Sequence, residues 1–344
     1  MKRLGFHTLR DKATDTLGDK LSRQLQEDVA PKMSDEEAFS FAEFNAEDAE
    51  RGGYSDYSYW KSTLRAFFQN KIAVFFLFVM VAVLLFTFIQ PYLPGQKDPI
   101  LIHNDQWGLP LNNIPPSKEF WFGTNSIGQD LWARIWAGTR TSLFIGFSVA
   151  LVEAVVGILV GVLWGYVRKL DFFFTELYNV LDNIPQTLLL ILISYVLKPG
   201  VSTIIFALSL TGWLGMAARV RMQFYRFKGQ EYILAARTLG ASDWRLMFKH
   251  IFPNSLGTII TGSVLVIPGV IFSESTLSYL GIVNLESSTM TSVGTLLSNG
   301  KNYLSTDPYI IFFPALFIAL LEISFNLFGN GLRDAFNPSL RGVE

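Results

Sequence analysis

Six apolar runs punctuate the chain, at about 72–89, 142–167, 180–197, 201–218, 256–280 and 309–327, and polar stretches of very different length separate them. A helix needs roughly 20 apolar residues, at about 1.5 Å rise each, to cross a hydrocarbon core of about 30 Å. The pattern therefore predicts an all-α membrane protein with six transmembrane helices. Residues 1–56 are polar and read as a cytoplasmic tail, with an acidic cluster at Asp35, Glu36, Glu37, Glu43, Glu47, Asp48 and Glu50. Residues 57–71 mix Trp60, Leu64, Phe67 and Phe68 with Lys61, Arg65 and Lys71, which predicts an amphipathic helix in the membrane interface. The first span, 72–90, ends at Pro91 and Pro94, and residues 91–140 form an extracytoplasmic segment. Five further helices are expected within 141–331, and 332–344 is a cytoplasmic tail.

Composition supports this picture. Half the residues are hydrophobic and 17% are charged, against roughly a quarter charged in soluble domains. No cysteine is present, so disulfides, thiolate metal sites and thiol nucleophiles are excluded. The apolar runs begin only at Ile72, so no cleaved signal peptide is expected. The net charge of −1 conceals an asymmetry. With the N-terminus inside, the inner flanks hold Arg51, Lys61, Arg65, Lys71, Arg168, Lys169, the seven basic residues from Arg219 to Lys249, Arg333 and Arg341. The outer segments hold only Lys97, Lys118, Arg134, Arg140, Lys198 and Lys301. This bias places both termini and the polar stretch around Glu231 in the cytoplasm of a multi-pass protein.

Few residues offer chemistry. Gly157, Gly161 and Gly165 extend a small-residue row begun by Gly146, Ala150 and Ala154. Such a row lets a second helix approach closely, either within this chain or from a partner membrane subunit. Glu153 and Glu322 lie inside apolar runs, with Asp182 and Glu274 near the ends of others. Each is expected to face a bundle interior, as a buried hydrogen bond or a path lining. A secondary transporter coupled to ions would also use such carboxylates. The stretch Gly294 to Lys301 fails as a phosphate loop, because its glycine spacing is one residue too long and Asn302 replaces Ser or Thr. His7, His103 and His250 have no zinc or triad spacing. No convergent catalytic set is apparent. The expectation is a non-catalytic chain with no cofactor, no metal and no nucleic-acid partner.

The segment 231–253, EYILAARTLGASDWRLMFKHIFP, is polar and helix-forming between apolar runs. Ala235 and Ala236 keep side chains short where a helix must nest in a groove, and Gly240 allows a sharp turn. Arg237, Asp243 and Arg245 supply ionic anchors, and His250 is a polar member of the segment. Of Trp244 and Phe248, one is expected toward a partner and the other toward the bundle.

Glu231, Ala235, Ala236, Gly240 and Pro253 together resemble the coupling loop of the membrane subunit of an ATP-binding cassette importer. Leu234 stands where that family has Glu, which removes one ionic contact and leaves the groove shape and the glycine turn. The resemblance to the oligopeptide/dipeptide importer family extends from Tyr59 to Arg341. It includes FGTNSIGQDLWARIWAGTRTSLFIG (122–146, with Asn125 and Gln129 for the usual Asp and Arg), LDNIPQTLLLI (181–191), SESTLSYLGI (273–282) and FNLFGNGLRDAFNPSLR (325–341). It favours the second, C-type permease and implies type I importer permease architecture. It implies as partners a homologous permease, two ATPases carrying ATP and Mg, and an extracytoplasmic peptide-binding protein. The implied function is peptide import by alternating access, with nickel or another small solute as the alternative cargo.

Overall fold

The structure is a computed structural model, and it describes residues 59–337 apart from 288. The acidic cluster at 35–50 lies outside the described residues, as does the tail beyond 337. Among the described residues ten helical segments follow one another, and strand pairing is limited to three isolated bridges within 102–130, one of them Ile102 with Gln129. Helix α1 (Tyr59–Gln69) is amphipathic, and Asn70 then caps α2 (Lys71–Ile89) by accepting from the Ala73 amide at 3.1 Å. Helix α3 (Leu131–Tyr166) is capped by Asp130, which accepts from the Ala133 amide at 2.9 Å. Burial raises the Asp130 carboxyl above its ordinary range. Next come α4 (Arg168–Asp182), α5 (Gln186–Val196), α6 (Val201–Lys228) and α7 (Glu231–Thr238). The run α8 (Asp243–Tyr279), the short α9 (Val293–Gly300) and α10 (Tyr309–Phe336) complete the chain.

Five of these helices are long and apolar enough to cross a membrane, and a sixth crossing requires the bent pair α4–α5 to count as one. The third expected span, 180–197, is corrected here. The helix breaks at Asn183–Pro185 with a 76° bend. Proline lacks an amide donor and pushes the residue before it out of the helical region, so a new helix of 11 residues, Gln186–Val196, starts after it. Other expected boundaries also shift. Helix α3 begins eleven residues before the expected Ser142, and α6 and α10 continue to Lys228 and Phe336. At about 1.5 Å per residue, the 36 residues of α3 extend roughly 54 Å, well beyond the hydrocarbon core.

Two polar clamps close one end of the bundle. Arg134, almost fully buried, meets Glu286 at 2.5 Å and also bonds Gln129 and Thr291. The fully buried Glu274 accepts from Ser142, Ser278 and Ser292 at 2.7–3.0 Å. Together these fix the 284–300 loop and α9 against α3. The stretch Gly294 to Lys301, excluded above as a phosphate loop, is mostly α9. At the opposite end, α1 lies against α10 through Phe67 and Phe328, 5.8 Å between ring centroids.

Candidate functional site

Helix α7, its turn and the start of α8 form one compact unit at the end of the bundle opposite the clamps. Helix α7 ends in a glycine cap. Gly240 sits at φ +84°, its amide donates to Arg237 O at 3.0 Å, and the Ala241 amide donates to Ala236 O at 3.0 Å. This reciprocal pair satisfies the last carbonyls of the helix and requires a left-handed residue after the cap. A side chain at position 240 would meet nothing within 4 Å, so backbone conformation alone selects glycine here. Ser242 then caps α8, accepting from the Arg245 amide at 3.4 Å.

Helix α8 opens with a widened turn at Leu246–Ile251, where the Phe252 amide reaches back to Met247 O. Pro253 explains it: without an amide donor it cannot bond the carbonyl of Lys249, and its ring crowds that carbonyl. His250 sits in this turn, its carbonyl accepting from Asn254 Nδ2 at 2.6 Å.

The inner face of the unit is apolar. Ile233, Leu246 and Ile251 are fully buried and pack with Val162, Met216, Val220 and Phe224 of α3 and α6. At about 1.5–3 kcal/mol per buried aliphatic side chain, these three contribute roughly 5–9 kcal/mol, an upper bound on seating. A polar contact adds direction. Tyr166, the last residue of α3, donates its hydroxyl to Asp243 Oδ1 and accepts from Arg237 Nη2 at 3.4 Å, and Lys228 Nζ bonds its carbonyl at 2.6 Å. Seating is thus mostly hydrophobic, with Tyr166 fixing the approach of α7 and α8.

The outer face carries the unsatisfied apolar surface. Leu239 is 88% exposed and Trp244 69%, and Leu234 is also exposed. Tyr232 is exposed as well, and partial desolvation raises its hydroxyl above the usual tyrosine range. Trp244 and Phe248 stack at 4.1 Å between centroids, and both face outward. This corrects the expectation that one of them faces the bundle; residues four apart share a helix face. Around this ridge Glu231, Ala235, Arg245 and Pro253 are exposed, while Ala236 is half-buried against the seat. Arg237 and Asp243 are exposed, and each also engages Tyr166 of this chain. Tyr166 and Leu239 were not singled out from the sequence. Nothing in the sequence pairs Tyr166 with Asp243, whereas an exposed leucine before a cap glycine was a readable sign.

The glycine row packs within the chain. A Cβ at Gly157 would lie 2.5 Å from Met216 Cβ, at Gly161 2.6 Å from Ala217 O, and at Gly165 2.7 Å from Phe224 Cβ. The close approach is between α3 and α6, and it links the seat to the membrane helices. Glu153 lies on the same side of α3, against Gly212 of α6. Glu322 is half-buried and accepts from Asn326 at 3.4 Å. Asp182 ends α4 at the break and is exposed. Among the described residues no cluster of metal-ligating side chains forms.

Residues 157–342, which contain the seat, the ridge and the glycine row, match the family described as binding-protein-dependent transport system inner membrane component. The chain belongs to this family. Residues 58–116 match the N-terminal TM domain of oligopeptide transport permease C. The chain is 38% identical over 310 residues to the oligopeptide transport system permease protein OppC of Bacillus subtilis, covering 88% of this chain and 97% of the relative. It is 37% identical over 286 residues to the dipeptide transport system permease protein DppC of the same organism, covering 83% and 87%. It is therefore a multi-pass membrane permease subunit.

Proposed function

We propose that this permease is the pore-forming, non-catalytic subunit of an ATP-driven importer of oligopeptides or dipeptides, with segment 231–253 transmitting motion from a separate ATPase. The observation that carries the coupling role is the two-sided construction of that segment. One face is seated on α3 and α6, and the other presents Leu239, Trp244 and Phe248 outside the bundle. An apolar ridge on a rigid, capped base suits a groove on a partner. Tilting that base moves α3 and α6 with it, because the glycine row leaves no gap between them.

The complex would comprise this chain, a homologous second permease, two ATPases holding ATP and Mg, and an extracytoplasmic peptide-binding protein. ATP binding would close the ATPases and open the pore outward, and hydrolysis would reset it, each state favoured by its own contacts. The ridge then faces the cytoplasm, as do both termini. The identities of the relatives support peptides as cargo.

The test is affinity purification of the full chain from its native membrane, beside Leu239→Asp and Trp244→Asp variants. The wild type should bring down a second permease and two ATPases. The variants should retain the permease and lose most of the ATPase. Undiminished ATPase recovery with both variants would overturn the coupling role.

A further inference from the structure

A cavity of about 440 Å³ opens between the ends of α6, α8 and α10 on the side of the coupling unit. Its lining includes Arg226 in the last turn of α6, Arg333 in the last turn of α10, and Asn254 and Thr258 in α8. Phe336 forms apolar floor, its ring packed against Gly257 so closely that a Cβ there would lie 2.8 Å away. The charges are unbalanced. Two guanidinium groups face one carboxylate, Asp334, and neither arginine lies within ion-pair reach of any described acid. Three other arginines of the bundle are engaged. Arg134 bonds Glu286, Gln129 and Thr291, Arg221 pairs with Asp171 at 2.8 Å, and Arg140 donates to Thr87 O at 2.8 Å. Arg226 and Arg333 thus keep their donor forks open toward one polar cavity with an apolar floor.

We propose that this cavity binds a phosphate group between Arg226 and Arg333. Guanidinium forks match phosphate oxygens two at a time, which an isolated positive charge does not. The position also fits, since both arginines lie in the last turns of helices long and apolar enough to cross a membrane, and basic pockets between such helices suit phosphate head groups. The phosphate can come from an anionic phospholipid or from a soluble phosphate in the cytoplasm, and an apolar floor favours the first. The site is independent of the coupling ridge and does not rest on the function proposed above.

The test uses the full chain in mild detergent, observed by native mass spectrometry after exposure to phosphatidylglycerol, to a phosphate-free galactolipid of the same acyl chains, or to inorganic phosphate. Phosphatidylglycerol should be retained at least tenfold better than the galactolipid, and Arg226→Gln with Arg333→Gln should abolish the difference. Saturable inorganic phosphate that displaces the lipid would assign the site to phosphate from either source. Phosphatidylglycerol retention unaffected by inorganic phosphate would assign it to lipid. Equal retention of the two lipids by the wild type, with no phosphate bound, overturns the proposal without reference to any variant. Thr258→Trp, which fills the cavity and leaves both charges, provides a second check: it should reduce retention as far as the double variant does, and undiminished retention would also overturn the site.

Discussion

Gly240 offers a sharp test of the coupling unit, because sterics and backbone conformation predict opposite orders of substitution. Its φ of +84° is left-handed, and open space surrounds the position where a Cβ would stand. Size therefore costs nothing directly. What a substitution costs is the left-handed backbone, about 1–2 kcal/mol for an ordinary L residue and less for Asn, which visits that region more readily. At 25 °C a loss of 1–2 kcal/mol lowers the population of the capped turn by about 5- to 30-fold relative to its open forms. Gly240→Ala should thus open the turn more than Gly240→Asn, although alanine is smaller, and Gly240→Val should be worst because it is β-branched. Hydrogen exchange of the segment 231–245 reports the opening, since the Gly240 and Ala241 amides make the two cap bonds. Peptide uptake in proteoliposomes with the ATPases should decline in the same order. Exchange and uptake that instead follow side-chain volume, with alanine nearest the wild type, would refute the conformational argument.

Two further outcomes follow from the packing. Gly161→Ala should lower the thermal stability of the purified chain, by about 1–3 kcal/mol of overpacking, because its Cβ would meet backbone at Ala217 O and branched carbon at Val220. Gly269→Ala, in open space on α8, should be neutral or slightly stabilising, and an equal gain at both sites would mean that helix propensity and not close approach governs them. Glu274→Ala should destabilise by about 3 kcal/mol or more, since it strands the three serine hydroxyls that its carboxylate satisfies. Glu274→Gln keeps an acceptor and should cost about a third as much; an unchanged melting temperature in the alanine variant would remove Glu274 from the clamp it shares with Ser142 and Ser292.

What could be read from the chain alone divides by the range of the interaction. Local signals carried the membrane helices and the turn: the charge-free run at 72–89 matches α2 closely, and a lone glycine between two helix-forming stretches marked the cap at Gly240. The start of α3 was hidden because Arg134 and Arg140 made 131–141 look like loop. Their charges are satisfied by Glu286, by Gln129 and by Thr87 O, groups that no local window contains. The break at Pro185 was read through as one span, 180–197, because apolar residues lie on both sides of it; hydropathy averages over a bend that proline imposes. The glycine row announced close approach but not the partner, since any helix fills a groove equally well on paper, and only the packed structure selects α6. The site splits in the same way. Its exposed ridge follows from helical spacing, as Trp244 and Phe248 show by sharing a face four residues apart. Its seat depends on Tyr166, 77 residues before Asp243, and a contact of that range leaves no pattern in a single sequence. Long-range seating beneath a locally encoded ridge is the arrangement a force-transmitting element needs, because the ridge has to hold its shape while the base moves with the membrane helices.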